Sequence, residues 1–374
     1  MRKTYHKREE FDVDLSIINL KNGLYNWVTD KIQDHTSDYL SVNQVNITYD
    51  KQAKPKLFGK YLSEVLYPNE IRTAVEMIAY TFYRKNPFEI ISFLLGNGGN
   101  GKSVFTSVIT AAHGPRNISN VPLRELVDDP FSVSDLENKA ANIDPEISVG
   151  KVLDPSMLKR LTGKQPTRIQ RKNDKAYDTV IHAKLFLSPN KIPQTSDDSD
   201  GYYRRKVIVT FPNKFEGKAD DVDLSDKLTT AEEMSGMFNA LMIALRRLIK
   251  NKGVFVNETT MQERREKYAR ALDPVKAFMN EVLPYSKEND KAYKEDFYEA
   301  YLEYCREYRL PFKSKNDFGM AITEYPYHIK DGRDSTGDRL RFWKSIKILD
   351  KKQRTLFIKE LSIPQESWSG RVSE

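Results

Sequence analysis

The chain has 374 residues, 39% of them hydrophobic and 30% charged, with a formal net charge of +7 and a pI near 9.0. This is the composition of a globular protein with a sizeable core, and no apolar stretch is long enough to cross a bilayer, so a membrane partner is not expected. The N-terminal MRKTYHKREEFDVD lacks the apolar middle of a secretory signal, the single cysteine (Cys305) cannot pair within the chain, and five scattered histidines form no zinc pattern, so a reducing cytoplasm is the expected compartment.

The length suggests two or three domains, and no fixed-period repeat is visible. We read domains at 1–70, 71–265 and 266–350, followed by a tail at 351–374. The first mixes short apolar stretches with turn signals and carries no obvious chemistry. From residue 71 the apolar residues Ile71, Val75, Ile78, Ala79 and Phe82 recur at helical spacing. The run from Ile90 to Leu95 is apolar almost throughout, as a parallel strand covered on both faces should be. A glycine loop follows, then a helix from Ser103 to Ala112 that Gly114 and Pro115 end. Further strands are predicted at 140–143, 184–187 and 206–211, with a hairpin from Thr167 to His182 turning at Asn173 and Asp174. Met234, Phe238, Leu241, Leu245 and Leu248 mark a long amphipathic helix. After Pro274 come three helices, near 275–283, 294–309 and 315–324, and a two-armed hairpin at 327–330 and 339–348. That combination describes a winged helix.

The glycine loop reads GNGGNGKS: Gly96, Asn97, Gly98, Gly99, Asn100, Gly101, Lys102 and Ser103, with Val104 continuing the helix. It satisfies G-x-x-x-x-G-K-[ST] between a predicted strand and a predicted helix, which is the context that gives the motif meaning. Glycines let backbone N–H groups curl around phosphate oxygens, and a helix start adds partial positive charge. Lys102 then reaches the β and γ phosphates of ATP, and the Ser103 hydroxyl binds Mg²⁺.

Asp144 and Glu146 in AANIDPEIS follow a short apolar strand; beside the glycine loop, one carboxylate can hold Mg²⁺ and the other can orient the attacking water. Read alone, the pair is a solvated turn. Asn190, after KLFLSP, offers an amide for positioning that water or forms an ordinary Asn turn. Arg204 and Arg205 in DGYYRR are either surface charges or arginines offered to a neighbouring subunit's nucleotide. Arg171, Lys172 and Lys175 cluster at the hairpin tip, where they bind nucleic acid phosphates or simply face solvent. Lys315 and Arg339 lie at the third C-terminal helix and the wing, placed for contact with duplex DNA or a protein.

GNGGNGKS, AANIDPEIS, LKRLTGKQPTRIQRKN, KLFLSPNKIP and DGYYRR, in this order, resemble the superfamily 3 helicases of the phage, plasmid and poxvirus primase-helicase family. LKNGLYNW upstream and YKEDFYEAYLEYCREYRLPFKSKNDFG downstream extend the resemblance over nearly the whole chain. It implies an α/β fold: an AAA+-like P-loop ATPase core with an N-terminal mixed or helical domain and a C-terminal winged-helix domain. It also implies ATP and Mg²⁺ as cofactors, a homo-hexameric ring, 3′–5′ movement on single-stranded DNA through a channel lined by the hairpin, and the host-cell cytoplasm. Pro145 stands where members often carry a second carboxylate or a small residue, which leaves the division of labour between Asp144 and Glu146 open. Residues 1–70 lack the acidic clusters of a priming domain, so a priming activity, if the system has one, is expected elsewhere, as a partner protein or as a domain left out of this chain. A DNA-stimulated loader or remodeller and a nucleic-acid packaging motor are the alternative functions.

Overall fold

The computed structural model describes residues 6–96, 98–145, 155–189, 199–217, 221–256, 260–324, 329–333 and 341–349. The chain forms two compact units, Met1–Tyr268 and Ala269–Glu374. Among the described residues no helix is long and apolar enough to cross a membrane.

The first unit opens with an antiparallel meander of β1 (Ile17–Leu20), β2 (Gly23–Asn26) and β3 (Lys31–Gln33), followed by helices α1 (Phe58–Val65) and α2 (Ile71–Tyr80). Next in the chain come β4 (Ile91–Leu95), α3 (Lys102–His113), β5 (Ile118–Ser119), α4 (Leu123–Asp128), β6 (Ala141–Asp144) and α5 (Pro155–Thr162). A hairpin of β7 (Thr167–Ile169) and β8 (Tyr177–Thr179) precedes β9 (Lys184–Leu187), α6 (Asp200–Tyr203) and β10 (Lys206–Thr210). The unit closes on α7 (Leu224–Leu228), α8 (Ala231–Lys250) and the start of α9 (Met261–Leu272).

Five of these strands form one parallel sheet in the order β10-β4-β9-β6-β5. β4 is buried at all five positions, the condition that makes a central parallel strand read as an uninterrupted apolar run. The fold is therefore mixed α/β around a parallel sheet.

The boundary expected near residue 70 falls inside this unit, because the meander and the sheet share one core. Phe238 of α8 meets Tyr25 of β2 edge-on, with ring centroids 5.2 Å apart, and meets Phe82 at 5.5 Å. Arg246, two turns further along α8, donates to the Trp27 carbonyl at 2.6 Å, the Tyr25 hydroxyl at 2.7 Å and the Asp30 carboxylate at 2.8 Å. These ties cross about two hundred residues of sequence.

The start of α8 fixes α1 in turn. Thr230 caps α8 by accepting from the Glu233 amide. The buried Glu233 carboxylate then accepts the backbone N–H groups of Lys56, Leu57 and Phe58 at 2.7–2.8 Å, so it satisfies the otherwise unpaired donors at the head of α1. One turn on, Gly236 lets the chain at Lys54 and Pro55 lie directly on the α8 backbone; a Cβ there would collide with the Lys54 carbonyl carbon and the Pro55 nitrogen.

The second unit contains α10 (Pro274–Val282), β11 (Lys291–Tyr293), α11 (Lys294–Tyr308), α12 (Lys315–Glu324), β12 (Lys330–Arg333) and β13 (Arg341–Lys344). Its antiparallel sheet has the order β11-β13-β12. Phe278, Phe297, Tyr301 and Phe318 pack at its centre, with Tyr301 stacked on Phe318 at 4.4 Å. The three helices fall where the residue pattern placed them, and β13 lies within the expected second arm, but β12 shares only Lys330 with the first arm expected at 327–330. The third strand, β11, has only three residues and gave no signal. The tail at 351–374 lies outside the described residues.

Replacing Glu233 with alanine leaves three partly buried amides without an acceptor and should cost about 3 kcal/mol, read as a lower urea midpoint. An unchanged midpoint would show that α1 is held by its apolar face alone. Gly236→Ala forces the α8 backbone away from Lys54 and should cost about 1–3 kcal/mol; a neutral result would deny the close approach.

Candidate functional site

The C-terminal end of β4 runs straight into the glycine loop, and the neighbouring chain fixes the shape of that loop. Gly96 lies so close to the Phe211 carbonyl that a Cβ would sit 2.6 Å from it and would also strike the Asn100 amide. Gly99 (φ 69°) and Gly101 (φ 90°) both adopt the left-handed region that side chains disfavour. The Gly99 carbonyl accepts the Phe215 amide at 2.7 Å.

Gly101 caps the N-terminus of α3, and α1 presses against it: a Cβ would lie 2.7 Å from Val65, and the Tyr61 hydroxyl donates to the Gly101 carbonyl at 2.9 Å. The Glu233 cap thereby reaches the loop through α1. Lys102 begins α3, and its ammonium turns back to the Gly96 carbonyl, across the mouth of the loop. Partial burial holds that ammonium below the usual lysine range. Ser103 is exposed on the first turn, and Val104 is half-buried behind it. A cleft of about 520 Å³ lies over this turn, lined by Tyr61, Val65, the loop from Gly98 to Val104, Phe215 and Leu224. Asn97 lies outside the described residues.

Asp144 ends β6, two strands away from β4, which is about 10 Å by ordinary strand spacing. It is buried, and one carboxylate oxygen accepts the Leu123 amide at the head of α4 at 2.8 Å. Between the two strands, β9 ends in Ser188, whose amide donates to the Asp144 carbonyl at 3.0 Å. The Ser188 hydroxyl is buried and has no hydrogen-bond partner among the described residues, so a polar group is wanted there. The sequence reading passed over this residue because a serine beside a proline signals only a turn. Glu146 and Asn190 lie outside the described residues.

These features fit a nucleoside triphosphate with Mg²⁺. A shaped glycine cradle, a helix start, a lysine, an exposed hydroxyl, a carboxylate and an orphaned hydroxyl converge on the C-terminal edge of the sheet, where open α/β sheets take their ligands. Among the described residues no group of three or more His, Cys, Asp or Glu could hold a metal. Mg²⁺ needs no such group, since it characteristically binds through one or two protein oxygens together with substrate phosphates.

The arginine pair sits at the other edge of the sheet. β10 pairs with β4 in the register Lys206↔Ile91 to Thr210↔Leu95, so Arg204 and Arg205 precede β10 at the end remote from Gly96. Roughly 16 Å of strand separates the two edges. The pair is not equivalent: the Arg205 side chain is 9% exposed and that of Arg204 is 51% exposed.

The hairpin cations divide in the same way. Arg171 is bound at 2.9 Å to Glu137, a carboxylate that also meets Arg8 at 2.6 Å and the Tyr177 hydroxyl at 2.6 Å. Lys172 and Lys175 are exposed beside the turn at Asn173, which is left-handed (φ 68°). In the second unit Lys315 is paired with Glu295, and Arg339 lies outside the described residues.

Residues 6–66 match the family described as D5 N terminal like, and residues 94–205 match one described as a family of unknown function, DUF5906. The chain is 25% identical, over 84% of its length, to a protein of Invertebrate iridescent virus 3 that is named as a helicase, 121R; it spans 38% of that relative's length. Among solved structures, the apo C-terminal region (305–718) of NrS-1 gives a TM-score of 0.48 at 15% identity, covering 83% of this chain and 80% of that one. The JCV helicase bound to a phenoxyphenyl acetamide gives 0.31 at 14% identity, covering 58% and 66%. The N-terminal match and the viral relative agree with the resemblance that the ordered motifs carry.

Proposed function

We propose that this chain is the ATP-driven motor of a viral or plasmid DNA helicase: an AAA+-like P-loop ATPase that works as a homo-hexameric ring on single-stranded DNA, in the 3′–5′ direction, in the host cytoplasm. One observation carries the reading above the rest: a glycine loop with left-handed Gly99 and Gly101, at the end of the buried central strand of a parallel sheet, capping a helix that begins Lys102-Ser103. A bound polyphosphate gives that combination a use.

In this reading the loop amides and Lys102 bind the β and γ phosphates. Ser103 and Asp144 hold Mg²⁺, which when bound neutralises developing phosphate charge. Ser188 supplies a hydroxyl to the same edge. Glu146 and Asn190 orient the lytic water in the same reading. Lys102 must leave the Gly96 carbonyl to reach a phosphate, and its half-buried ammonium regains there the charge partner it lacks.

Arg204 and Arg205 serve a neighbouring subunit. The roughly 16 Å of strand between them and their own loop supports action on a neighbour's nucleotide. Arg204 is the residue whose head can reach out, and Arg205 is its buried support. The exposed Lys172 and Lys175 contact DNA phosphates in the channel, while Arg171 anchors the hairpin to Glu137. The second unit acts as a winged helix that meets DNA or a partner through Lys315 and the wing, and a primase or polymerase, as a domain or as a protein, completes the system.

Lys102→Ala should abolish ATP hydrolysis stimulated by single-stranded DNA; turnover that survives would remove the nucleotide assignment. Displacement of a labelled strand separates an unwinding motor from a loader that hydrolyses ATP without releasing DNA.

The hairpin reading is tested by salt. Each lost phosphate contact lowers the slope of log K against log salt by about 0.7 for a single strand. Lys172→Ala and Lys175→Ala should each lower it by that amount for every subunit whose hairpin touches the strand, and Arg171→Ala should leave it unchanged. An equal effect from Arg171 would place that residue on the DNA.

A further inference from the structure

Glu89 lies in the turn that leads into β4, with its backbone in the left-handed region at φ 56° and its amide donating to the Asn86 carbonyl at 3.3 Å. A glutamate has no intrinsic reason to sit there, since the left-handed region is strained for a residue with a side chain. Its carboxylate, 16% exposed, accepts from both Arg204 and Arg205 through a single oxygen, each at 2.6 Å. One negative charge thus faces two guanidinium groups.

The two arginines are held differently around it. Arg205 also donates to the Gly201 carbonyl, and its own carbonyl accepts the Ile91 amide at 2.6 Å, so its backbone is stitched to β4 two residues from Glu89. Arg204 has its carbonyl bound by Arg264 and its guanidinium half in solvent. The backbone of Arg204 is therefore fixed, and Glu89 is the anion that decides where its side chain points.

We propose that Glu89 is a positioning residue for Arg204: it holds the guanidinium extended at the surface of the subunit for delivery to a nucleotide bound by a second copy of this chain. The buried Arg205 against the same oxygen keeps the Glu89 carboxylate oriented, and sharing that oxygen weakens its hold on Arg204 enough for a phosphate to compete. Although Glu89 opens the strand that ends in its own glycine loop, it serves the neighbour's site. The inference rests on the ring reading above, and subunit mixing separates the two.

In mixed full-length assemblies, Arg204→Ala subunits bind nucleotide but offer no arginine, and Lys102→Ala subunits offer the arginine but hydrolyse nothing. Mixing the two should restore DNA-stimulated hydrolysis; absence of restoration at every ratio overturns the ring reading, and the role of Glu89 falls with it. Where restoration occurs, adding Glu89→Gln to the Lys102→Ala subunit should lower it about tenfold or more, since misplacing a catalytic group by an ångström can cost up to a hundredfold. Adding the same change to the Arg204→Ala subunit should leave it within twofold.

Equal loss in both arrangements, or none in either, overturns the role of Glu89 while the ring stands. Melting curves of the single Glu89→Gln variant check folding. If that variant fails to fold, Glu89→Asp, which keeps the charge but shortens the reach, goes into the same two mixtures with the same outcomes deciding.

Discussion

The close approach of three backbone segments at the glycine loop is the constraint on which the rest of the structure depends. Gly96 is pressed by the Phe211 carbonyl and Gly101 by Val65, so the loop keeps its shape only while α1 and the chain after β10 stay in place. α1 stays in place because Glu233 caps it, and Glu233 is presented by α8, whose buried face is shared with the N-terminal meander. The meander is thus part of the scaffold of the loop. The first 66 residues, which seemed to carry no chemistry, contribute Tyr61 and Val65 to the wall of the cleft.

Sheet polarity then assigns two different tasks to two edges. All five strands run the same way, so everything that follows a strand gathers at one edge and everything that precedes a strand gathers at the other. The loop, Asp144 and Ser188 follow strands; Glu89, Arg204 and Arg205 precede them. A parallel sheet cannot bring these groups together within one subunit, and that geometric fact, more than the charge of the arginines, is the argument for a site completed by a second copy.

The elements closest to the chemistry were the most legible in the sequence. β4, β6, β9, β10 and α8 appear within a residue or a turn of their expected limits, because buried parallel strands and a twenty-residue amphipathic helix carry strong periodic signals. The short elements α4, α6, α7 and β11 carry none.

What sequence pattern could not reveal is which of two like residues is held. Arg204 and Arg205 are neighbours with identical chemistry, and only the fold places one against Gly201 and Ile91 and leaves the other half in solvent. Arg171 and Lys172 are separated in the same way by Glu137, thirty-four residues upstream of Arg171. Pairings of that kind cross the sheet and leave no local trace.

Glu137 shows why such pairings matter beyond stability. A carboxylate with 2% of its side chain exposed, surrounded by two guanidinium groups and a phenol, satisfies a buried charge that would otherwise be costly. It also fixes the turn end of the β7–β8 hairpin to the segment that leads into β6, the strand that ends at Asp144. The basic turn at Lys172 and Lys175 and the acidic end of β6 are therefore joined through one short run of chain and one ion-pair cluster. A hairpin held in this way is tied to the chain that leads into β6 by buried charge as well as by its own two strands.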